Sequence, residues 1–414
     1  MLRGMYAGIS GLRIHQTKMD VIGNNIANVN TVGFKKSRVT FQEIMSQTIK
    51  EGSAPQNNKG GTNPLQVGLG LGLGSIDVIH APGNTQTTGR ITDLAIEGDG
   101  FFLVKAGEEV LYTRAGTFAF DRDGSLLNAD GMKVQGWLPD QVTGIIDDTN
   151  PGIDALSDLR INIGGESGAK VTDSMVLTNN LSSEVAPGTM AYAPIEVYDQ
   201  NGRSYQMEVI FTKGDNVDEW TYSARVKVGD AYQDTLNDIN LVFDPTGKEP
   251  IDGGNSELTF TDIAGNEVTI NIDLTKITQY SAPTTIQVDS QNGYQSGTLE
   301  SVSVDATGVI YGIYSNGMSK QLGKVALATF KNPAGLVSQG GNLFRTTNNS
   351  GIAQIGASGT GGRGSILPGS LEMSNVDLSE EFVDMIATQR GFQANSRIIS
   401  TSDEMLQELT NMKR

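Results

Sequence analysis

The chain has 414 residues, with 30 Lys and Arg against 47 Asp and Glu, a formal net charge of −17 and only 19% charged residues. That length accommodates two or three domains with their own cores, and an acidic chain without a basic cluster argues against nucleic acid and against a polybasic membrane contact. Cysteine is absent, which removes disulfides, thiolate metal sites and cysteine nucleophiles together.

From the N-terminus, Leu2, Met5, Ile9, Leu12, Gln16, Met19, Gly23 and Ile26 recur at alternating steps of three and four, the seam of a helix that packs lengthwise on another helix. The turn formers of Asn28-Val-Asn-Thr-Val-Gly33 end it. A short amphipathic piece is expected at residues 41–49. Residues 34–74 as a whole, which include Gly68-Leu-Gly-Leu-Gly-Leu-Gly74, read as an extended linker or arm because their composition buries little apolar surface.

From residue 75 strands dominate. Phe101-Phe-Leu-Val104 is an apolar run, and Tyr112 to Phe120 leads through the turn Asp121-Arg-Asp-Gly124 towards Met132-Lys-Val-Gln-Gly-Trp137, a hairpin pattern. Residues 145–285 carry further hairpins around Asp199-Gln-Asn-Gly202 and Ala264-Gly-Asn266 and read as an all-β domain inserted into a β-rich domain of residues 75–144 and 286–371. A second Gly-, Ser- and Thr-rich stretch, 348–369, mirrors the first linker.

Residues 372–414 close the chain with a second stripe: Leu378, Phe382, Met385, Gln389, Phe392, Ser396 and Ile399, then Ile398, Ser402, Met405, Leu409 and Met412 one residue out of register. Asp377, with Glu380, or Ser379 alone, suits its N-cap. The fold class is therefore mainly β with a terminal α-helical coiled coil, a nested, discontinuous multidomain chain. Charge favours pairing of the ends: residues 1–30 hold Arg3, Arg13 and Lys18 against Asp20, whereas residues 377–414 hold seven acids against four cations. Polar or missing side chains at Gln16, Gly23, Gln389 and Ser396 suit stripes that meet other copies as well as each other, so the ends are expected to order on assembly.

Chemistry is not evident. The two histidines, His15 and His80, lie far apart in sequence, and no Gly-x-Ser-x-Gly or His-Glu-x-x-His occurs. Gly164-Gly-Glu-Ser-Gly-Ala-Lys170 falls short of a complete phosphate loop. Asp121-x-Asp123-Gly lacks the later acids of a calcium loop. No catalytic residue, cofactor or metal ligand is assigned, and no enzyme is expected. There is no run of eighteen apolar residues and no charged-then-apolar start, so the expected locations are the cytoplasm or an export route without a cleaved signal.

Several motifs together resemble a known family. They are Ser10-Gly-Leu12, Asp20-Val-Ile-Gly-Asn24-Asn25-Ile-Ala-Asn28, Thr31-Val-Gly33-Phe34-Lys35, Asp93-Leu-Ala-Ile-Glu-Gly-Asp-Gly-Phe-Phe102, Tyr112-Thr-Arg-Ala-Gly116, Ser374-Asn375-Val-Asp377-Leu378 and Gln389-Arg390-Gly-Phe-Gln-Ala-Asn395. In this order, over residues 1–137 and 290–414, the chain is similar to the rod and hook axial proteins of the bacterial flagellum. The resemblance implies a structural subunit that assembles with many copies of itself into a helical tube, a flexible joint passing torque from rod to filament.

It further implies that residues 1–33 and 372–414 form an inner, channel-lining helical domain, residues 75–144 and 286–371 a middle domain, and residues 145–285 an outer one. The implied partners are the hook cap, the distal rod, the hook–filament junction proteins and the flagellar type III export apparatus, with an extracellular location on the flagellum. No nucleic acid and no membrane insertion are implied. The start of the 47–65 arm also resembles distal rod proteins, which makes a rod subunit the alternative. A secreted β-rich enzyme or adhesin with assembly helices is the reading from a different class.

Overall fold

The computed structural model describes residues 2–55, 60–140, 143–149, 152–229, 231–244, 249–252 and 254–412. Among them, no helix is long and apolar enough to cross a membrane. The chain divides into two compact units: Met1–Asn162 with Val302–Tyr311 and Lys320–Arg414, and Ile163–Ser301 with Gly312–Ser319.

In the first unit the terminal helices, α1 (Leu2–Ala27) and α2 (Leu378–Asn411), run side by side. The segment read as an extended linker or arm is a two-stranded ribbon, an arm with its own strand pairing and not a bare linker. Strand β1 (Ser37–Glu43) pairs antiparallel with β4 (Leu71–Val78), and β2 (Ser46–Lys50) with β3 (Leu65–Gly68). Composition misled here, because the alternating Gly-Leu run has the period of a strand. Its glycines also have a use: a Cβ on Gly70 would stand 2.5 Å from Ser10 Oγ of α1. The bare backbone of the ribbon lies against α1 there, and the Leu71 N–H donates to Ser10 Oγ at 3.2 Å. Phe41, in the piece read as amphipathic, meets His15 of α1 edge to face.

The rest of this unit is antiparallel sheet. Phe101–Ala106 lies between Glu109–Thr113 and Lys133–Trp137, and Leu343–Arg345 continues beyond Glu109–Thr113. Phe101, Phe102, Leu103 and Val104 are all buried. A strand covered on both faces needs such a continuous apolar run instead of alternation. Phe101, Leu103, Tyr112, Trp137, Phe330 and Phe344 share one core.

The glycine-rich stretch near residue 360 is likewise not a linker, since Gln354–Gly356 pairs with Leu327–Thr329 and Ser365–Pro368 with Leu94–Glu97. Asp121 Oδ1 accepts the Ser125 N–H at 2.7 Å. The same bond recurs from Asp199 to Arg203, Asp262 to Asn266 and Asp305 to Val309. These carboxylates cap hairpin turns.

The second unit packs two sheets face to face. One is a meander of Met190–Tyr198, Ser204–Lys213, Glu219–Val228, Ala231–Phe243 and Pro250–Asp252. The other holds Asn255–Thr261, Glu267–Tyr280, Ser174–Ser182 and Gln287–Gln291, with Ser174–Ser182 parallel to Glu267–Tyr280. Strict alternation along the strands sends Val197, Met207, Phe211, Trp220, Tyr222 and Phe243 inward against Leu177, Leu258, Ile270 and Leu274.

The edges of this unit differ from the expected 145–285. Ser157 and Asp158 pair with Gly136 and Gln135, and Leu159 and Ile161 are buried, which ties these residues to the first unit. Gln287–Gln291 pairs with Ser174–Ser182 and belongs to the second.

Candidate assembly site at the paired chain ends

Five contacts fix the antiparallel course of α1 along α2. A Cβ on Gly8 would meet Asn395 and Ile399, and one on Gly11 would stand 2.6 Å from Asn395 Nδ2. A Cβ on Gly391 would stand 2.8 Å from the His15 ring. Lys18 pairs with Asp384 at 3.3 Å, and the Asn25 amide donates to Glu381 Oε2 at 3.2 Å. The contact line is thus Gly8, Gly11, His15, Lys18 and Asn25 against Glu381, Asp384, Gly391, Asn395 and Ile399. It keeps heptad steps but lies one residue ahead of the expected α1 seam.

That line is small and polar. Thr388 and Ser402 are buried on α2 with their hydroxyls returned to the carbonyls of Asp384 and Ile398. On α1 the fully buried apolar side chains are Ile14 and Ile22, neither of which belongs to the expected stripe.

The expected stripes lie elsewhere. Met5, Ile9, Leu12, Met19 and Ile26 are half-buried on the flank of α1, and the side chain of Leu2 lies outside the described residues. Met385, Phe392 and Ile399 are half-buried on α2; Phe382, Met405 and Leu409 are exposed, as are Val383 (67%) and Ile386. Large apolar side chains on a monomer surface mark an interaction face when they are contiguous, and Phe382, Val383 and Ile386 are neighbours on the helix.

Where the helices leave the sheet, the motif residues form a knot. Asn28 donates to Asn24 and accepts from Thr31, closing the end of α1. Asn25 also brackets the Ser37 backbone through both its amide atoms. Gly33 has φ +71°, and a Cβ there would stand 2.5 Å from the Ala115 nitrogen; only glycine fits both demands. Half-buried Phe34 follows it.

Asn375 accepts the Lys36 N–H at 2.8 Å and donates to Ile79 O at 2.9 Å, and Asp377 caps α2 through the N–H groups of Ser379 and Glu380. Asn395 sits in the helix contact, while Gln389 and Arg390 face solvent.

Beneath these lies a buried ion cluster. Lys35 Nζ reaches Glu372 Oε1 at 2.6 Å, Arg114 reaches Glu372 Oε2 at 3.2 Å, and all three side chains are at most 1% exposed. Gly83 N–H donates to the same carboxylate, Lys35 also donates to Ala81 O, and Arg114 to Gly98 O. Burial pushes the pKa of Lys35 and of Arg114 down, against the pull of Glu372. Beside them His80 packs edge-on against Phe101 and Phe344, and burial, then Lys35 and Arg114, lower its pKa to about 4. Lys35 and Arg114 fall inside the sequence motifs. Glu372, the residue that joins them, has no local pattern to announce it, because its partners are 337 and 258 residues away.

Family models cover most of this architecture. "Flagella basal body rod protein" matches residues 5–35, "Flagellar hook protein FlgE/F/G D1 domain" 95–172, "Flagellar basal body protein FlaE D2 domain" 186–294 and "Flagellar basal body rod FlgEFG protein C-terminal" 367–412. The flagellar hook protein FlgE of Borreliella burgdorferi is 41% identical over the whole of both chains, and that of Treponema pallidum 38%, again over the whole of both.

The chain belongs to the flagellar hook protein family.

The flagellar basal-body rod protein FlgG of Bacillus subtilis also aligns over both full lengths, at 34%, so the hook relatives above are the nearer ones and a rod subunit is the less supported alternative. A crystal structure of Helicobacter pylori flagellar hook protein FlgE2 shares the fold, with a TM-score of 0.52 and 15% identity over 71% of this chain and all of that one. As a member of the hook family, the chain is a structural, polymerising component of the bacterial flagellum.

Proposed function

We propose that copies of this chain polymerise through their terminal helices into a helical tube, the flexible joint that passes torque from rod to filament. On this reading α1 and α2 line the channel, the sheet of the first unit surrounds them, and the second unit faces outward. The subunit travels through the flagellum's own type III export channel, and meets the hook cap, the distal rod and the hook–filament junction proteins at the ends of the tube.

One observation carries the reading: α2 turns Gly391 and Asn395 to α1 and leaves its large apolar Phe382, Val383 and Ile386 uncovered. Burial of Phe382, Val383 and Ile386 against neighbours, at about 1.5–3 kcal/mol per fully buried side chain, offsets the entropy of ordering the ends. A net charge of −17 repels copies from one another, so screening by salt favours the polymer. The outward-facing rows of the meander suit contacts that slide. Glu196 stands across from Gln206 and Gln206 across from Lys227, and Arg225 donates through Nε and Nη2 to Glu208 Oε2, a polar kind of surface.

The test replaces Val383 and Ile386 by Glu. Both lie off the helix contact, so circular dichroism of the monomer should be unchanged. Polymers that sediment from the parent protein at high salt should be absent; polymers at parental yield would refute the reading.

A further inference from the structure

Helix α2 is 34 residues long and α1 is 26. The two are aligned at Asn25 and Glu381 and run antiparallel with Gly8 opposite Asn395 and Ile399. Counted from the Asn25–Glu381 pair, α2 runs seven residues further than α1, which at 1.5 Å each carries its end roughly 10 Å past the start of α1. In that overhang Met405 is 48% exposed, Met412 83% and Leu409 49%, spaced so that they share one face. Two of the three exposed large apolar groups there are thioethers, and in a chain without cysteine methionine is the oxidisable sulfur.

We propose that Met405 and Met412 are modification sites at which hydroperoxide oxidation switches off assembly. The inference rests on the assembly role of the terminal helices. The thioether sulfur attacks one peroxide oxygen, the O–O bond breaks, and the oxygen is retained as sulfoxide. With hydrogen peroxide the other oxygen leaves as water, so sulfur loses two electrons and the peroxide gains them.

Sulfoxide turns a flexible apolar side chain into a polar one. An interface reached only by desolvating that face then loses its apolar contact and gains a polar group to bury. Once neighbours cover the overhang the sulfurs are shielded, so the free subunit is the sensitive form and the finished polymer the resistant one.

The molecule carries its own controls. Met175 and Met207 are at most 1% exposed inside the second unit and should resist oxidation, whereas Met190, in the second unit away from the terminal helices, is exposed and should oxidise. Full-length monomer is treated with hydrogen peroxide, each methionine is assayed by peptide mass spectrometry, and polymer is sedimented at high salt.

Sulfoxide at Met405 and Met412 with loss of polymer is expected, while the same treatment of preformed polymer should spare both. The double variant M405L/M412L should still assemble after treatment, because leucine keeps the apolar bulk. Methionine sulfoxide reductase should restore assembly to the oxidised parent protein, which tests the idea without any substitution.

Full assembly with both sulfoxides present would overturn the proposal, as would a double variant that loses assembly to peroxide as readily as the parent. A different result would mark failure of the underlying assembly reading: untreated M405E protein that polymerises normally.

Discussion

Glu372 holds together segments that are hundreds of residues apart, and its surroundings define what it is worth. Its carboxylate is buried between two cations, Lys35 and Arg114, and accepts the Gly83 N–H as well. Glu372→Gln would keep the shape and strand two cations in a dry site, a defect that costs about 3–5 kcal/mol. Denaturant unfolding of the full chain should show a loss of that size in the first unit, and a loss below about 1 kcal/mol would contradict the dry cluster.

His80 next to it sets an acid limit. Its pKa in the fold is about 4 against an ordinary 6.5, so the folded state prefers the neutral ring. The stability this contributes is complete above pH 6.5 and is lost as pH falls through about 4. The shift bounds the loss at roughly 3 kcal/mol. His80→Gln should remove the part of the pH 7 to pH 4 destabilisation that belongs to this ring. Fluorescence of Trp137 in a Trp220→Phe background reports it, and equal acid slopes for parent and variant would rule the histidine out.

At the level of elements, the heptad spacing of both ends was legible and their register was not. A stripe announces itself in sequence by its large apolar residues, but here these are left over after Gly8, Gly11, Gly391 and Asn395 have brought the two backbones close. The hairpins around Asp199–Gly202 and Ala264–Asn266 were legible because their strands are covered on one face and alternate, as Ser204–Lys213 does. The ribbon was missed because glycine composition outweighed its two-residue period.

Two glycines of α1 give opposite predictions from the same geometry. Gly11→Leu has no room against Asn395 and should part the helices, whereas Gly23, with nothing within 4 Å of an added Cβ, should gain up to about 1 kcal/mol of helix stability as Ala. Hydrogen exchange of α1 amides in sedimented polymer reads both: faster than the parent for the first, slower for the second. Similar exchange in the two variants would mean the helices are not packed through Gly11.

For the molecule as a whole, the nested chain order means that the long segment of the second unit, Ile163–Ser301, is entered and left through adjoining strands. Glu166 and Ser167 pair antiparallel with Thr298 and Gly297, and the Leu299 N–H donates to Gly165 O at 3.1 Å. Chain entry and exit are therefore a strand spacing apart, about 5 Å, and a short turn can join them. The first unit keeps its own core around Phe101, Tyr112 and Trp137, with Leu159 and Ile161 retained before the cut.

Replacing residues 166–298 by a two-residue Asn-Gly turn should therefore leave the ion cluster and the paired helices folded. Because the proposed assembly stripes are on those helices, tubes should still form, and electron microscopy should find them altered in curvature or stiffness since the polar outward rows are gone. Folded protein that no longer polymerises would move the assembly determinants into the second unit. Tubes indistinguishable from the parent's would deny that unit any part in the mechanics of the joint.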